Sequence, residues 1–209
     1  MKIVFWGETK QCGTTSNMLA VAGMLAVLRP EARIEVCTPG ISQRAIRLHA
    51  GKKKNTEKIF RDTEKKVYNG NRDMHFYFLD CRSGRDRWCR EVLRKADLVV
   101  VNLAQQEDCL RKFFLYDIHI APNILILMGK YYELSRYGRE YLEHFYRIDP
   151  EKFGVIPCNA QFEMAADRGK VRHFVQTECK LPESERNGRL LQELTRFVEL
   201  LLQNVSERK

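Results

Sequence analysis

The chain has 209 residues, 44% hydrophobic and 30% charged, enough for one sizeable core and too apolar for a disordered tail. No apolar run reaches the roughly 18 residues that span a bilayer, and the opening Met1–Trp6 meets Gly7 and Glu8 too early for a signal peptide, so a cytoplasmic protein is expected. The net charge of +9 is unevenly placed: residues 1–40 hold four basic and three acidic side chains, residues 41–100 sixteen and eight, and residues 101–209 sixteen of each. Seven scattered cysteines, an odd number with no C-x-x-C pair, read as reduced thiols.

Taken in chain order, short runs rich in Val, Ile, Leu and Phe alternate with amphipathic segments, the pattern of βαβ units around a parallel sheet. The strands are expected at Lys2–Trp6, Arg33–Cys37, His75–Asp80, Asp97–Asn102, Asn123–Met128 and Phe153–Ile156, with a weaker seventh at Val171–Phe174. Leu98-Val99-Val100-Val101 and Ile124-Leu125-Ile126-Leu127 are continuously apolar, as suits strands covered by helices on both faces. Helices are expected at Thr15–Leu28, Glu57–Val67, Arg85–Lys95, Glu107–Tyr116, Glu133–Phe145 and Arg186–Val205. In the last of these, Leu190, Leu191, Leu194, Phe197, Val198, Leu201, Leu202 and Val205 make a full helical stripe that packs on the sheet. A single domain over 1–209 is expected, with 41–71 as a basic exposed excursion and 186–205 as a packing helix.

The first strand runs through Gly7-Glu8-Thr9-Lys10-Gln11-Cys12-Gly13-Thr14-Thr15-Ser16 straight into a helix, the position of a phosphate-binding loop. Such a loop points backbone N–H groups at phosphates, reaches them with a lysine and holds Mg²⁺ with a Ser/Thr hydroxyl. Here Thr14 stands where the lysine belongs. Taken alone, Thr14, Thr15 and Ser16 serve equally well as an N-cap. Phe76-Tyr77-Phe78-Leu79-Asp80 ends a strand in a carboxylate, and Gly84 follows four residues on. Asp80 at that place holds a Mg²⁺-bound water, or else caps the helix starting near Arg85. Cys12 and Cys81 read as small packing residues, and the Tyr131, Tyr132, Tyr137, Tyr141, Tyr146 and Phe145 group as core or protein interface. Arg87, Arg90 and Arg94 lie at helical spacing, a stripe able to hold nucleic-acid phosphates, with Trp88 as a packing anchor.

Further motifs fall in a telling order. Ala96-Asp97-Leu98-Val99-Val100-Val101-Asn102, then Gly154-Val155-Ile156-Pro157-Cys158-Asn159 and Ala165-Ala166-Asp167-Arg168-Gly169-Lys170, follow the Gly13-Thr14-Thr15-Ser16 and Asp80–Gly84 segments. Together they resemble the MinD/ParA group of P-loop ATPases over most of residues 1–175, and within it the CpaE/TadZ branch, which lacks the P-loop lysine and helps assemble pilus and secretion machinery. The resemblance implies a three-layer α/β P-loop NTPase (Rossmann-like) fold with a mostly parallel central sheet flanked by helices. It also implies a homodimer, and ATP with Mg²⁺ as cofactors. The nucleotide-binding residues would be Lys10, Gln11, Cys12, Gly13, Thr14, Thr15, Ser16, Asp80, Gly84 and Pro157, with Thr15 and Asp80 at the metal.

The chain departs from the group where catalysis is concerned. Thr14 replaces the phosphate lysine, Thr9 falls at the second lysine with Lys10 one place away, Thr38-Pro39-Gly40 follows the second strand in place of a water-orienting aspartate, and Met128-Gly129-Lys130 replaces the base-reading Asn or Asp. Phosphoryl transfer depends on positioning and on neutralised charge, so these losses imply weak or absent ATP hydrolysis. Two rival expectations are an active ATPase using Lys10, and a nonspecific DNA-binding protein using the basic region 41–100, Arg87, Arg90 and Arg94 among its residues.

Overall fold

The computed structural model describes residues 1–10, 12–38, 75–117, 121 and 123–206. Gln11, the excursion at 41–71 and the helix expected at Glu57–Val67 lie outside the described residues. Six strands form one sheet: β1 (Lys2–Gly7), β2 (Arg33–Cys37), β3 (His75–Arg82), β4 (Leu98–Leu103), β5 (Ile124–Tyr131) and β6 (Phe153–Pro157). Their order is β2-β3-β1-β4-β5-β6 and every pairing is parallel. Among the described residues seven helices flank it: α1 (Thr14–Leu28), α2 (Arg87–Arg94), α3 (Glu107–Lys112), α4 (Arg139–Phe145), α5 (Ala160–Asp167), α6 (Val171–Glu178) and α7 (Gly188–Ser206).

Because strand side chains alternate, each apolar strand feeds two cores. Ile3, Phe5, Phe76, Phe78, Val100, Leu125 and Leu127 face α1, α6 and α7. Val4, Trp6, Leu79, Val99, Val101, Ile126 and Met128 face α2, α3 and α4. The central strand β4 is buried at all six positions, as its unbroken apolar run requires. Helix α1 is apolar nearly all round and is correspondingly enclosed, against the sheet on one side and α6 and α7 on the other. The stripe expected on the last helix is buried from Leu190 to Val205, with Leu202 at its margin.

Four elements differ from expectation. Val171–Phe174 is the start of helix α6, because Val171, Val175 and Glu178 are buried at helical rather than alternating spacing. The helix expected at Glu133–Phe145 begins only at Arg139, where Gly138 takes the extended N-cap conformation and the Arg139 N–H donates to the Tyr131 hydroxyl at 2.9 Å. Helix α5 has no counterpart among the expected elements; Asn159 starts it by accepting from the Phe162 N–H at 2.8 Å. The segment expected at Glu107–Tyr116 is helical, but it widens after Lys112 into a π turn at Phe113–Asp117.

Candidate nucleotide site

A parallel sheet puts the carboxyl ends of its strands on one edge, and the chain crosses from β1 to α1 at that edge. Gly13 makes the crossing in the left-handed region at φ 68°, which a side chain would disfavour. As N-cap it has no side chain to offer, and the first turn of α1 carries no acidic residue, so among the described residues no side chain caps this helix start. Gly7 permits the close approach of strand and helix: a Cβ there would fall on the Thr14 hydroxyl. Thr14 is thus folded inward and buried, where the resemblance puts a lysine reaching outward.

The next hydroxyl turns the other way. Thr15 Oγ1 donates to Asp80 Oδ2 at 2.5 Å, joining residues 65 apart in sequence. Asp80 is wholly buried at the end of β3, and its second oxygen accepts from the Arg82 N–H at 2.8 Å. Burial pushes its carboxyl above the ordinary value, against the pull of the Thr15 and Arg82 hydrogen bonds and the Arg82 charge. The alternative reading of Asp80 as a helix cap is corrected here: Asp86 caps α2, accepting from the Cys89 N–H at 2.7 Å.

Residues between Asp80 and α2 are fastened to β1. Trp6 Nε1 donates to the Gly84 carbonyl at 2.9 Å, the Gly84 N–H donates back to the Cys81 carbonyl at 3.0 Å, and Arg85 lies over the Trp6 ring at 5.2 Å. Arg85 also bonds Glu8 Oε1 at 2.6 Å and Asp117 at 2.9 Å, and Lys112 meets the same Glu8 oxygen at 3.0 Å. Burial raises the Glu8 carboxyl, the Lys112 hydrogen bond and Arg85 charge opposing it.

Beneath the loop lies a second polar pair. Asn17 Nδ2 donates to the Cys12 carbonyl at 3.1 Å and to Asn102 Oδ1 at 2.9 Å, and Asn102 Nδ2 donates to the Trp6 and Val100 carbonyls. Gly129 makes room for it, since a Cβ there would stand 2.6 Å from Asn17 Nδ2. Cys12 is buried with its sulfur 3.8 Å from that of Cys109, and hydrogen bonds from Cys109 and Thr9 bring the Cys12 thiol down to about 6 despite burial. Cys81 instead pairs with Cys89.

Of the expected site residues, Cys12, Gly13, Thr14, Thr15, Ser16, Asp80 and Gly84 therefore gather where β1, β3 and α1 meet. Lys10 is exposed on the loop. Pro157 ends β6 and lines a separate cavity of about 570 Å³ with Tyr131, Tyr132, Cys158, Asn159 and Arg189, at the same strand-end edge. Arg87, Arg90 and Arg94 are exposed on α2, and Trp88 packs partly buried against the core. Glu8, Asn17 and Asn102 were not singled out by sequence reasoning; the polar residue ending the all-apolar run Leu98–Val101 was the available signal for Asn102. Among the described residues no cluster of three or more His, Cys, Asp or Glu side chains suits a metal, and no helix is long and apolar enough to cross a membrane.

A six-stranded parallel sheet with helices on both faces and a glycine-bearing β1–α1 loop is a three-layer α/β fold, the one that solved MinD and ParA ATPase structures take. No family model and no curated protein sequence matches the chain. Among solved structures it is similar to the MinC:MinD cell division protein complex of Aquifex aeolicus, with TM-score 0.68, 14% identity, and 97% of this chain and 95% of that one covered. It is likewise similar to a ParA family ATPase of Chlorobium tepidum (TM-score 0.61, 12% identity, 95% and 97% covered). A third is the septum site-determining protein MinD of Pyrococcus horikoshii complexed with Mg-ADP (TM-score 0.58, 13% identity, 100% and 99% covered).

Proposed function

We propose that the chain is a MinD/ParA-like nucleotide-binding protein with weak or absent ATP hydrolysis, acting as a dimeric positioning or assembly factor of the CpaE/TadZ kind. The observation that carries this reading is the Thr15–Asp80 hydrogen bond. A hydroxyl and a buried carboxylate at an uncapped helix start are hard oxygen donors of the type Mg²⁺ takes, beside N–H groups of the type phosphate takes. When bound, the ion would offset the charge of the outer phosphates; Thr15 would hold it directly and Asp80 would orient its surroundings. The Pro157 cavity at the same edge suits the remainder of a nucleotide. The similar MinD with Mg-ADP supports the choice of ligand, and the similar MinC:MinD complex supports a protein partner.

The same loop argues against turnover. Thr14 is folded against Gly7, Thr9 occupies the place of the second lysine, and Thr38 follows β2 where an aspartate would orient water. Charge that a lysine would neutralise in the transition state is left unanswered, a deficit worth several kcal/mol of barrier. Lys10, exposed on the loop, carries the rival reading of an active ATPase.

Calorimetric titration with ATP and a non-hydrolysable analogue in the presence of Mg²⁺, beside Asp80→Ala, tests the proposal. Micromolar binding that the substitution abolishes, with no phosphate released, is the expected result. Absence of binding at millimolar nucleotide would leave the fold as a scaffold; phosphate release that stops in Lys10→Ala would establish the active reading. DNA binding through α2 rests on Arg87, Arg90 and Arg94, all exposed and, among the described residues, in no ion pair. Its mark would be an affinity whose logarithm falls steeply and linearly with log salt and which weakens when the three are neutralised.

A further inference from the structure

Two segments far apart in sequence bring their thiols into contact beside the loop. Cys12 lies between β1 and α1, Cys109 lies in α3, and their sulfurs are 3.8 Å apart with both residues at most 3% exposed. Each sulfur is steadied by its own segment: Thr9 meets Cys12 through its N–H at 3.4 Å and its hydroxyl at 3.2 Å, and the Ala104 N–H donates to Cys109 at 3.3 Å. Donors around Cys12 favour its thiolate, which is the nucleophilic form. A disulfide of about 2.05 Å needs the sulfurs to close by less than about 2 Å.

We propose that Cys12 and Cys109 form a redox-active dithiol, which a small peroxide oxidises to a disulfide that fastens the β1–α1 loop to α3. The Cys12 thiol releases its proton and the thiolate attacks one oxygen of hydrogen peroxide; the O–O bond breaks, the departing hydroxide takes up that released proton as water, and Cys12 becomes a sulfenic acid. Cys109 then gives up its proton and attacks the Cys12 sulfur; the S–S bond forms as the S–O bond breaks, and the departing hydroxide takes that proton as water. Two thiols lose two electrons and the peroxide is reduced to two waters. A dithiol reductant reverses the step by exchange. Once bonded, Cys12 is a poorer acceptor for Thr9, and the loop is tied across 97 residues. The link needs no nucleotide; any change in nucleotide affinity on oxidation would rest on the reading given above.

The reduced full chain is treated with hydrogen peroxide, alkylated, digested without reductant and mapped by mass spectrometry. The expected product is a Cys12–Cys109 linked peptide, reversed by dithiothreitol, with alkylatable thiols falling from seven to five. Amide exchange across residues 7–10 and 12–14 should slow in the oxidised protein. In Cys109→Ser the link is lost and Cys12 gains oxygen instead, whereas Cys89→Ser, which breaks up the other buried thiol pair, leaves the link intact. Oxidation confined to the exposed Cys158, or a link between other cysteines with Cys12 and Cys109 left as thiols, would overturn the proposal. The wild-type map decides the question even where a substituted chain fails to fold.

Discussion

Thr15 donates its hydroxyl to the Asp80 carboxylate at 2.5 Å, and that short bond sits on a carboxylate with no exposure to solvent. Burial raises the Asp80 carboxyl, so the fold holds that proton more tightly than the unfolded chain does. The stability this gives is complete below the ordinary aspartate range of about 4 and is lost as pH rises through the folded value. Above that range the raised carboxyl costs the fold stability, because the unfolded chain releases the proton more readily than the buried site does. Asp80→Asn should be more stable than the wild type at pH 7.5 by on the order of 1 kcal/mol, about 2–4 °C in Tm, with the gap closing toward pH 4. Urea unfolding at the two pH values measures it; an Asn variant less stable at pH 7.5 would sink the argument.

Asn17 and Asn102 answer each other inside the protein, both 2% exposed or less, and between them they satisfy the Cys12, Trp6 and Val100 carbonyls. Removing either leaves buried polar atoms without partners, which costs about 1–3 kcal/mol. Asn17→Ala and Asn102→Ala should each destabilise by about 2 kcal/mol, and the double variant by at least 1 kcal/mol less than their sum. Strict additivity in a double-mutant cycle would show that the two amides do not act as a unit.

Strand positions were legible because parallel strands buried on both faces must be continuously apolar, as Leu98–Val101 and Ile124–Leu127 are. The stripe from Leu190 to Val205 was equally plain, since it has helical period over four turns. Helices α5 and α6 were not: each has eight residues with only two or three buried, too few to fix a period. Thr15 and Asp80 were readable because Thr15 stands two residues after Gly13 in the first turn of α1 and Asp80 near the end of β3, four residues before Gly84. Glu8, Asn17 and Cys109 were not, because their roles come from partners 77, 85 and 97 residues away that no local spacing encodes.

Trp6 reaches across from β1 to the segment that follows Asp80, and its indole N–H to the Gly84 carbonyl is the bond that pins that segment. Phenylalanine keeps most of the packing and removes the donor. Trp6→Phe should cost about 1–2 kcal/mol, combining a lost hydrogen bond with a small cavity, and should quicken amide exchange at Gly84 and Arg85 more than in the core of β4. Uniform change across the protein would mean that only global stability had fallen.

Gly154, in β6, faces Phe197 of α7 so closely that a Cβ would overlap the aromatic ring. Phe197 is wholly buried among Leu194, Val198 and Leu201, so it has no room to swing away, and packing at interior density transmits the misfit to the helix. Gly154→Ala should therefore destabilise by about 2–3 kcal/mol although alanine suits a strand no worse than glycine. Phe197→Leu removes ring volume at the same contact, so it should cost stability alone yet recover part of the loss when combined with Gly154→Ala. Thermal unfolding of the four proteins measures this; a Gly154→Ala chain as stable as the wild type would mean that α7 rides on the sheet loosely enough to move aside.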